Sequence, residues 1–406
     1  MINIVPFRAL RPEAQHAKAV ASKPYDVLNS KEAKVEAQGN PISFLHVTKS
    51  EIDFPDNTDP HSQEVYDKAK ENLQAFISRK ILFRENKPCY YLYRLTSNGK
   101  SQTGIVCGSS LDDYDTGLIK KHELTRPEKE LDRINHMKTI GAQTGNVFLT
   151  YKNVEVIDTL VKKWTSEKNP QYDFISDDGV QHSVWIISDE SMIKSITNSF
   201  KALVPCTYIA DGHHRAASAS KARADFDSET AGYFLTTLFP STDINIMDYN
   251  RVIKDLHGLT PEVLLSKASE KYIIEKHNEP VRPAKLHEFG LYMDKQWYRL
   301  TAKEGTYTTD PMGVLDITIL QNNFLEPILG ISDQRTDKRI DFVGGIRGLE
   351  QLESRVNSGE MALAISLYPV SINQLLNIAE SGNVMPPKST WFEPKLRDGL
   401  LTHIID

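Results

Sequence analysis

A mixed α+β protein of the α/β class is what the chain predicts, and three observations predict it. Helical and strand-like segments alternate through residues 119–238. Short β-prone runs elsewhere are bounded by strong turn signals, Asn98-Gly99 above all. One strand-like run, residues 204–209, passes through Asp211-Gly212-His213-His214-Arg215 into an alanine-rich helix.

In order, residues 2–7 read as a strand, and Tyr25 and Asp26 sit in an extended segment available for contacts. Residues 44–47 read as a short strand. Asp59 caps a helix whose apolar stripe is Val65, Ala69, Leu73, Phe76 and Ile77. Residues 89–95 and 103–109 form a hairpin around Asn98-Gly99. Thr125 with Glu128 reads as a capping box, so a helix begins there and carries Lys129, Glu130 and Asp132 on a solvated face. Helical spacing returns at Ile157, Leu160, Val161 and Trp164, and again at Ile193, Ile196, Phe200 and Leu203, with a strand at 183–187 between them and another at 233–238. Beyond Asp248 come a helix from Pro261, a hairpin through 291–293 and 297–300, and a strand at 361–367. The expected organisation is an N-terminal region 1–115, a central domain 116–247 and a C-terminal region 248–406.

Composition excludes several classes. Of 406 residues, 40% are apolar and 25% charged, which is ordinary globular composition. No apolar run reaches spanning length and no leader pattern opens the chain, so the expectation is a cytoplasmic protein that does not engage a membrane. A net charge of −6 argues against non-specific affinity for nucleic acid. Cys89, Cys107 and Cys206 lack metal-binding spacing and read as reduced, buried thiols.

The chemistry is concentrated at three places. A strand-to-helix turn at Gly212 leaves helix-start N–H groups unpaired and aimed at one spot. His213, His214 and Arg215 would join them there, as an anion such as a phosphate requires, while Asp211 orients a histidine or holds a metal. The alternative is a capped turn in which the histidines satisfy local carbonyls. Upstream, Lys121-His122-Glu123 occupies a loop before a helix, where an acid and an imidazole can face a cleft. Near the end, residues 384–399 hold three prolines and cannot form a regular helix; Lys388 and Lys395 are point charges that could clasp a phosphate, and Trp391 and Phe392 would strap the segment to a core.

Together, Tyr208 to Arg215, His122-Glu123 with Asp132-Arg133, and Met385-Pro386-Pro387-Lys388-Ser389-Thr390 with Phe392 and Pro394-Lys395 resemble a family of bacterial and archaeal proteins classed as a conserved domain of unknown function. The D-G-H-H-R element is similar to the nucleotide-phosphate motif of the ParB and sulfiredoxin superfamily, most closely to its free serine kinases. That resemblance implies a ParB/sulfiredoxin-like nucleotide-binding layer with additional N- and C-terminal α/β regions. It also implies ATP or ADP with Mg²⁺ as cofactor, and a small hydroxyl compound, free L-serine, as acceptor. Glu123 would accept the hydroxyl proton, and Gly212, His213, His214 and Arg215 would hold the phosphates with His122. His213 stands where a sulfiredoxin carries its cysteine, so reductase chemistry lacks its thiolate. A ParB-like clamp would need a helix-turn-helix and a basic surface, and neither is visible. Nucleotide binding without chemistry and a metal-dependent phosphohydrolase using Asp211 stay open, as does the oligomeric state.

Overall fold

The computed structural model describes residues 1–406 and divides into two compact units, residues 1–244 with 394–406, and residues 245–393. In the first unit a mixed sheet collects nine strands: β1 (Ile4–Val5), β2 (Tyr90–Ser97), β3 (Lys100–Ser110), β4 (Ile119–Lys120), β5 (Val147–Tyr151), β6 (Tyr172–Ile175), β7 (Gln181–Ile187), β8 (Thr207–Asp211) and β9 (Tyr233–Pro240). Their order is β4-β8-β5-β9-β3-β2-β7-β6, with β1 also paired to β3. The expected 1–115 and 116–247 regions therefore contribute to one sheet and one unit.

Five helices matter here: α1 (Gln63–Ser78), α2 (Pro127–Ile140), α3 (Glu155–Glu167), α4 (Glu190–Leu203) and α5 (His213–Ala222). The core between sheet and helices holds Leu92, Ile105, Leu149, Ile157, Ile196, Phe200 and Ile209, all at most 1% exposed. Alanines 216, 217, 219 and 222 let α5 lie close against it, since their small side chains bring the helix backbone near the sheet. Cys89 and Cys107 are buried free thiols, and Cys206 is half-buried.

The second unit is built on a six-stranded antiparallel sheet, ordered 272–277, 296–302, 288–293, 363–367, 249–253 and 340–344. Residues 384–393 belong to this unit, where Trp391-Phe392 pairs with Ile246-Met247. Residues 394–399 belong to the first. No helix is long and apolar enough to cross a membrane.

Local differences from the sequence reading have identifiable causes. The Asn98-Gly99 hairpin forms as expected, both residues lying at positive φ (51° and 72°) as its tight turn demands. Residues 44–47 instead enter a one-turn helix, Leu45–Thr48, because a run of four residues carries no decisive period. Asp59 engages its carboxylate with the His61 N–H at 2.9 Å, and α1 begins only after Ser62. Thr125 is not the cap of α2. Pro127 takes the first helical position and holds Arg126 extended, so the helix starts beyond the expected box, without a side-chain cap. Glu130 is buried and paired with Lys221 rather than solvated, and Asp132 pairs with Arg133.

Candidate functional site

Strand pairing explains why distant segments meet at Gly212. β8 runs parallel to β4, with Thr207 opposite Ile119 and Tyr208 opposite Lys120. The two strands therefore release their next residues at the same end of the sheet: Asp211-Gly212 from β8, and Lys121-His122-Glu123 from β4. On the other flank β8 is antiparallel to β5, and a register shift between Ile209 and Asp211 sets Asp211 opposite Phe148. The start of β5, with Asn146 just before it, thus lies at this end too.

The turn is tighter than the sequence suggested. The strand continues through Asp211 and the helix begins at His213, so Gly212 alone makes the turn, at φ 97°. A Cβ there would sit 3.1 Å from the Arg215 Nε and 3.3 Å from the Val147 Cα, in a backbone conformation that side chains resist. Glycine is thus required twice over, by conformation and by space. His213, His214 and Arg215 form the first turn of α5, where N–H groups lack intrahelical partners.

Two imidazoles are held differently. The His122 backbone N–H donates to the His213 Nε2 at 3.4 Å, across 91 residues of sequence, and the two rings meet edge to face with centroids 4.5 Å apart. An accepting Nε2 assigns the proton to Nδ1, which faces the Glu123 Oε2 at 3.7 Å. The Arg126 backbone N–H donates to the His214 Nε2 at 3.0 Å. Burial lowers the pKa of all three histidines, with His122 pushed down to about 4 and His213 well below its ordinary value, helped by the neighbouring His122. The histidines are therefore neutral donors and acceptors, not carriers of positive charge.

Charge is supplied by Arg215 and Lys395. The Lys395 Nζ lies 3.1 Å from the Asp211 Oδ2, and the Arg215 Nη2 lies 3.6 Å from the same oxygen and 3.3 Å from the Asp26 Oδ2. Arg215 also donates to the Asn146 carbonyl. Burial alone would raise the Asp211 pKa, but Lys395 and Arg215 hold it well below the usual carboxylate range; Asp26 and Asp211 in turn raise that of Arg215 against its own burial. Asp398, 1% exposed, completes the cluster beside Arg215 and Gly145, with its Oδ2 unpartnered. Burial lifts its carboxyl to about 7, opposed by Arg215.

Of the residues read from sequence, His122, Glu123, Asp211, Gly212, His213, His214, Arg215 and Lys395 gather in the first unit. Lys388 belongs to the second, its ammonium 5.6 Å from the Tyr249 ring centre. Asp26, Asn146 and Asp398 were not read as site residues. Each comes from a separate segment, and no local spacing marks them. As for a metal, the Asp211 Oδ2 is already engaged by Lys395, and no group of three or more His, Cys, Asp and Glu side chains is placed to hold an ion. Mg²⁺ brought in on nucleotide phosphates, which uses few protein carboxylates, fits this donor set better than a resident ion.

Comparison with known proteins gives one family match, to "Protein of unknown function (DUF1015)", over residues 4–318. No curated protein matches. Among solved structures, the chain is similar to a conserved hypothetical protein from Pyrococcus furiosus (13% identity, 74% of this chain and 95% of that one, TM-score 0.37). It is also similar to a free serine kinase in complex with AMP (12%, 75% and 91%, TM-score 0.38), and to SbnI with C-terminal truncation from Staphylococcus aureus (10%, 74% and 87%, TM-score 0.40). Likeness at this level leaves the activity of the chain to its own residues.

Proposed function

From the geometry of a chain that belongs to the DUF1015 family of proteins of unknown function, we propose a nucleotide-dependent phosphotransferase acting on a small hydroxyl compound, with free L-serine as the acceptor to try first. The observation that carries this reading is the approach of Glu123 to His213 at the start of α5. It sets a carboxylate beside a helix N-terminus suited to phosphate, on a parallel strand pair that fixes both.

In this reading the terminal phosphoryl group lies against the Gly212 turn, with first-turn N–H groups donating to its oxygens. Arg215 and Lys395 offset the charge that develops on transfer, and Asp211 and Asp26 hold those cations in place until an anion arrives. His213, neutral, directs its Nδ1–H at Glu123 and so orients the carboxylate. Glu123 takes the proton from the acceptor hydroxyl as the oxygen bonds to phosphorus and the bond to the leaving nucleotide oxygen breaks. The 3.7 Å separation leaves room to tighten when substrate arrives. Mg²⁺, if carried by the nucleotide, supplies further charge neutralisation there.

The test is a transfer screen followed by phosphorus NMR, with ATP, ADP and pyrophosphate as donors and L-serine, L-threonine and glycerol as acceptors. A new phosphomonoester signal that needs both donor and acceptor supports the reading. Binding of donors without transfer to any acceptor would leave a nucleotide-binding protein instead.

A further inference from the structure

Residues 121–126, which carry Glu123, form neither helix nor strand, yet the segment is tied at both ends to one helix turn. At its start the His122 N–H donates to the His213 Nε2 at 3.4 Å, and at its end the Arg126 N–H donates to the His214 Nε2 at 3.0 Å. His213 and His214 are neighbours in the first turn of α5, so that turn grips the loop on either side of Glu123, Leu124 and Thr125. Leu124 is 64% exposed, so the middle of the loop stands clear of the core and its ends do most to set where Glu123 is carried.

The firmer of the two ties is at Arg126. While its N–H faces His214, its carbonyl accepts from the Lys129 and Glu130 N–H groups, each at 3.1 Å, so the residue joining the loop to α2 is fixed from both sides. Pro127 has no N–H, which leaves that of Arg126 as the last backbone donor ahead of the helix. Beside it the Thr125 hydroxyl donates to the buried Glu130, and Lys221, further along α5, pairs with the same carboxylate. An imidazole accepts an N–H only while neutral, and burial, aided by the nearby Lys129 charge, lowers the His214 pKa and keeps its lone pair available. The Nε2 is then committed to the backbone and cannot donate to a phosphate.

We infer that His214 is a positioning residue: through the Arg126 N–H it holds the loop so that the Glu123 carboxylate stays beside the start of α5. The helix whose first-turn N–H groups face the phosphoryl group thereby also fixes the base, and the two move as one piece. The inference rests on the reading of Glu123 as the base.

Two substitutions test it. His214→Leu removes the acceptor, whereas His214→Gln puts an amide oxygen near the place of Nε2. Amide exchange, read by NMR on the full chain with isotopically labelled arginine, reports the tie itself whether or not the protein is active. In His214→Leu the Arg126 N–H should exchange about tenfold faster or more. Turnover should fall about tenfold, with KM for the donor nucleotide and ADP affinity within about twofold of normal. His214→Gln should restore the protection and bring turnover back within about threefold. Should leucine prevent folding, His214→Asn, whose side chain is too short to reach Arg126, takes its place with the same expected losses. An Arg126 N–H that stays protected without the acceptor overturns the inference, as does faster exchange with turnover unchanged. Failure of glutamine to restore either overturns it as well, and a loss of ADP affinity of about tenfold or more would make His214 a phosphate ligand instead. If the unaltered chain transfers phosphate to no acceptor, the phosphotransferase reading fails, while the exchange result still decides whether His214 holds the loop.

Discussion

Two arginines largely withdrawn from solvent, one in each unit, show how differently a fold can keep a guanidinium. Arg215 is 10% exposed and sits among Asp26, Asp211 and Asp398, which raise its pKa against burial. Arg251 is 1% exposed and has no carboxylate partner. It donates to the carbonyls of Tyr249, Pro387 and Lys388 and to the Gln334 side chain, and burial lowers its pKa to about 9. Carbonyl oxygens have fixed positions in the chain and cannot be exchanged, so Arg251 is a clamp that sets the path of Pro387 and Lys388. Side-chain carboxylates, unlike backbone carbonyls, can rotate away from their partner, so the phosphate proposed at Gly212 could replace Asp26 and Asp211 at Arg215. A charge withdrawn from water is therefore informative only through the kind of partner that balances it.

Four substitutions separate the two arginines and their surroundings. The largest effect should come from Asp398, the counterion without a full set of partners. Its folded pKa of about 7 lies above the unfolded value near 3.8, so the stability linked to its protonated form is complete below about pH 4 and is lost as the pH rises through 7. Asp398→Asn should therefore unfold like the unaltered chain near pH 4 but be more stable at pH 8, by up to about 4 kcal/mol in urea titrations. Parallel stability curves across that range would remove Asp398 from the cluster's charge balance.

Next is Arg251→Met, which strands several buried carbonyls and should cost about 3 kcal/mol of stability, with ADP affinity of the folded protein within about twofold of normal. A large loss of affinity there would make Arg251 a ligand group and erase the contrast. Arg215→Met should do the reverse, weakening ADP and pyrophosphate about a hundredfold in calorimetry. Unchanged binding would mean that its carboxylates are permanent partners after all. The smallest effect should be at Lys388, held at φ 57°. Lys388→Gly relieves that conformation and should change stability by less than about 1 kcal/mol without touching ligand binding.

How much of the molecule was legible in its sequence divides along the same line, between local and distant causes. Gly212, the Asn98-Gly99 hairpin and the helices around Ile157 and Phe200 are written in short-range chemistry, and they formed where the residues said. Thr125 misled because Pro127, two positions later, overrides a side-chain cap. Residues 44–47 misled because four residues are too few to carry a decisive period. Within the site, Asp211 to Arg215 form one continuous motif and Lys395 carries a recognisable charge. Asn146 arrives through the pairing of β8 with β5, Asp398 through the return of residues 394–406 to the first unit, and Asp26 from the segment following Ser22, which bridges to Asp398. Those are relations between segments, which no window of the sequence contains. Even the tautomer of His213 depends on the backbone N–H of His122, far off in the chain.

The central claim is that Glu123 serves as proton acceptor beside a phosphate-binding turn, and Glu123→Gln addresses it most directly because the amide keeps the shape and loses the base. ADP affinity and acceptor phosphorylation should be measured on the same preparation. The account predicts binding within about twofold of normal and turnover reduced by about a hundredfold or more. Turnover that survives the substitution, with binding intact, would contradict it.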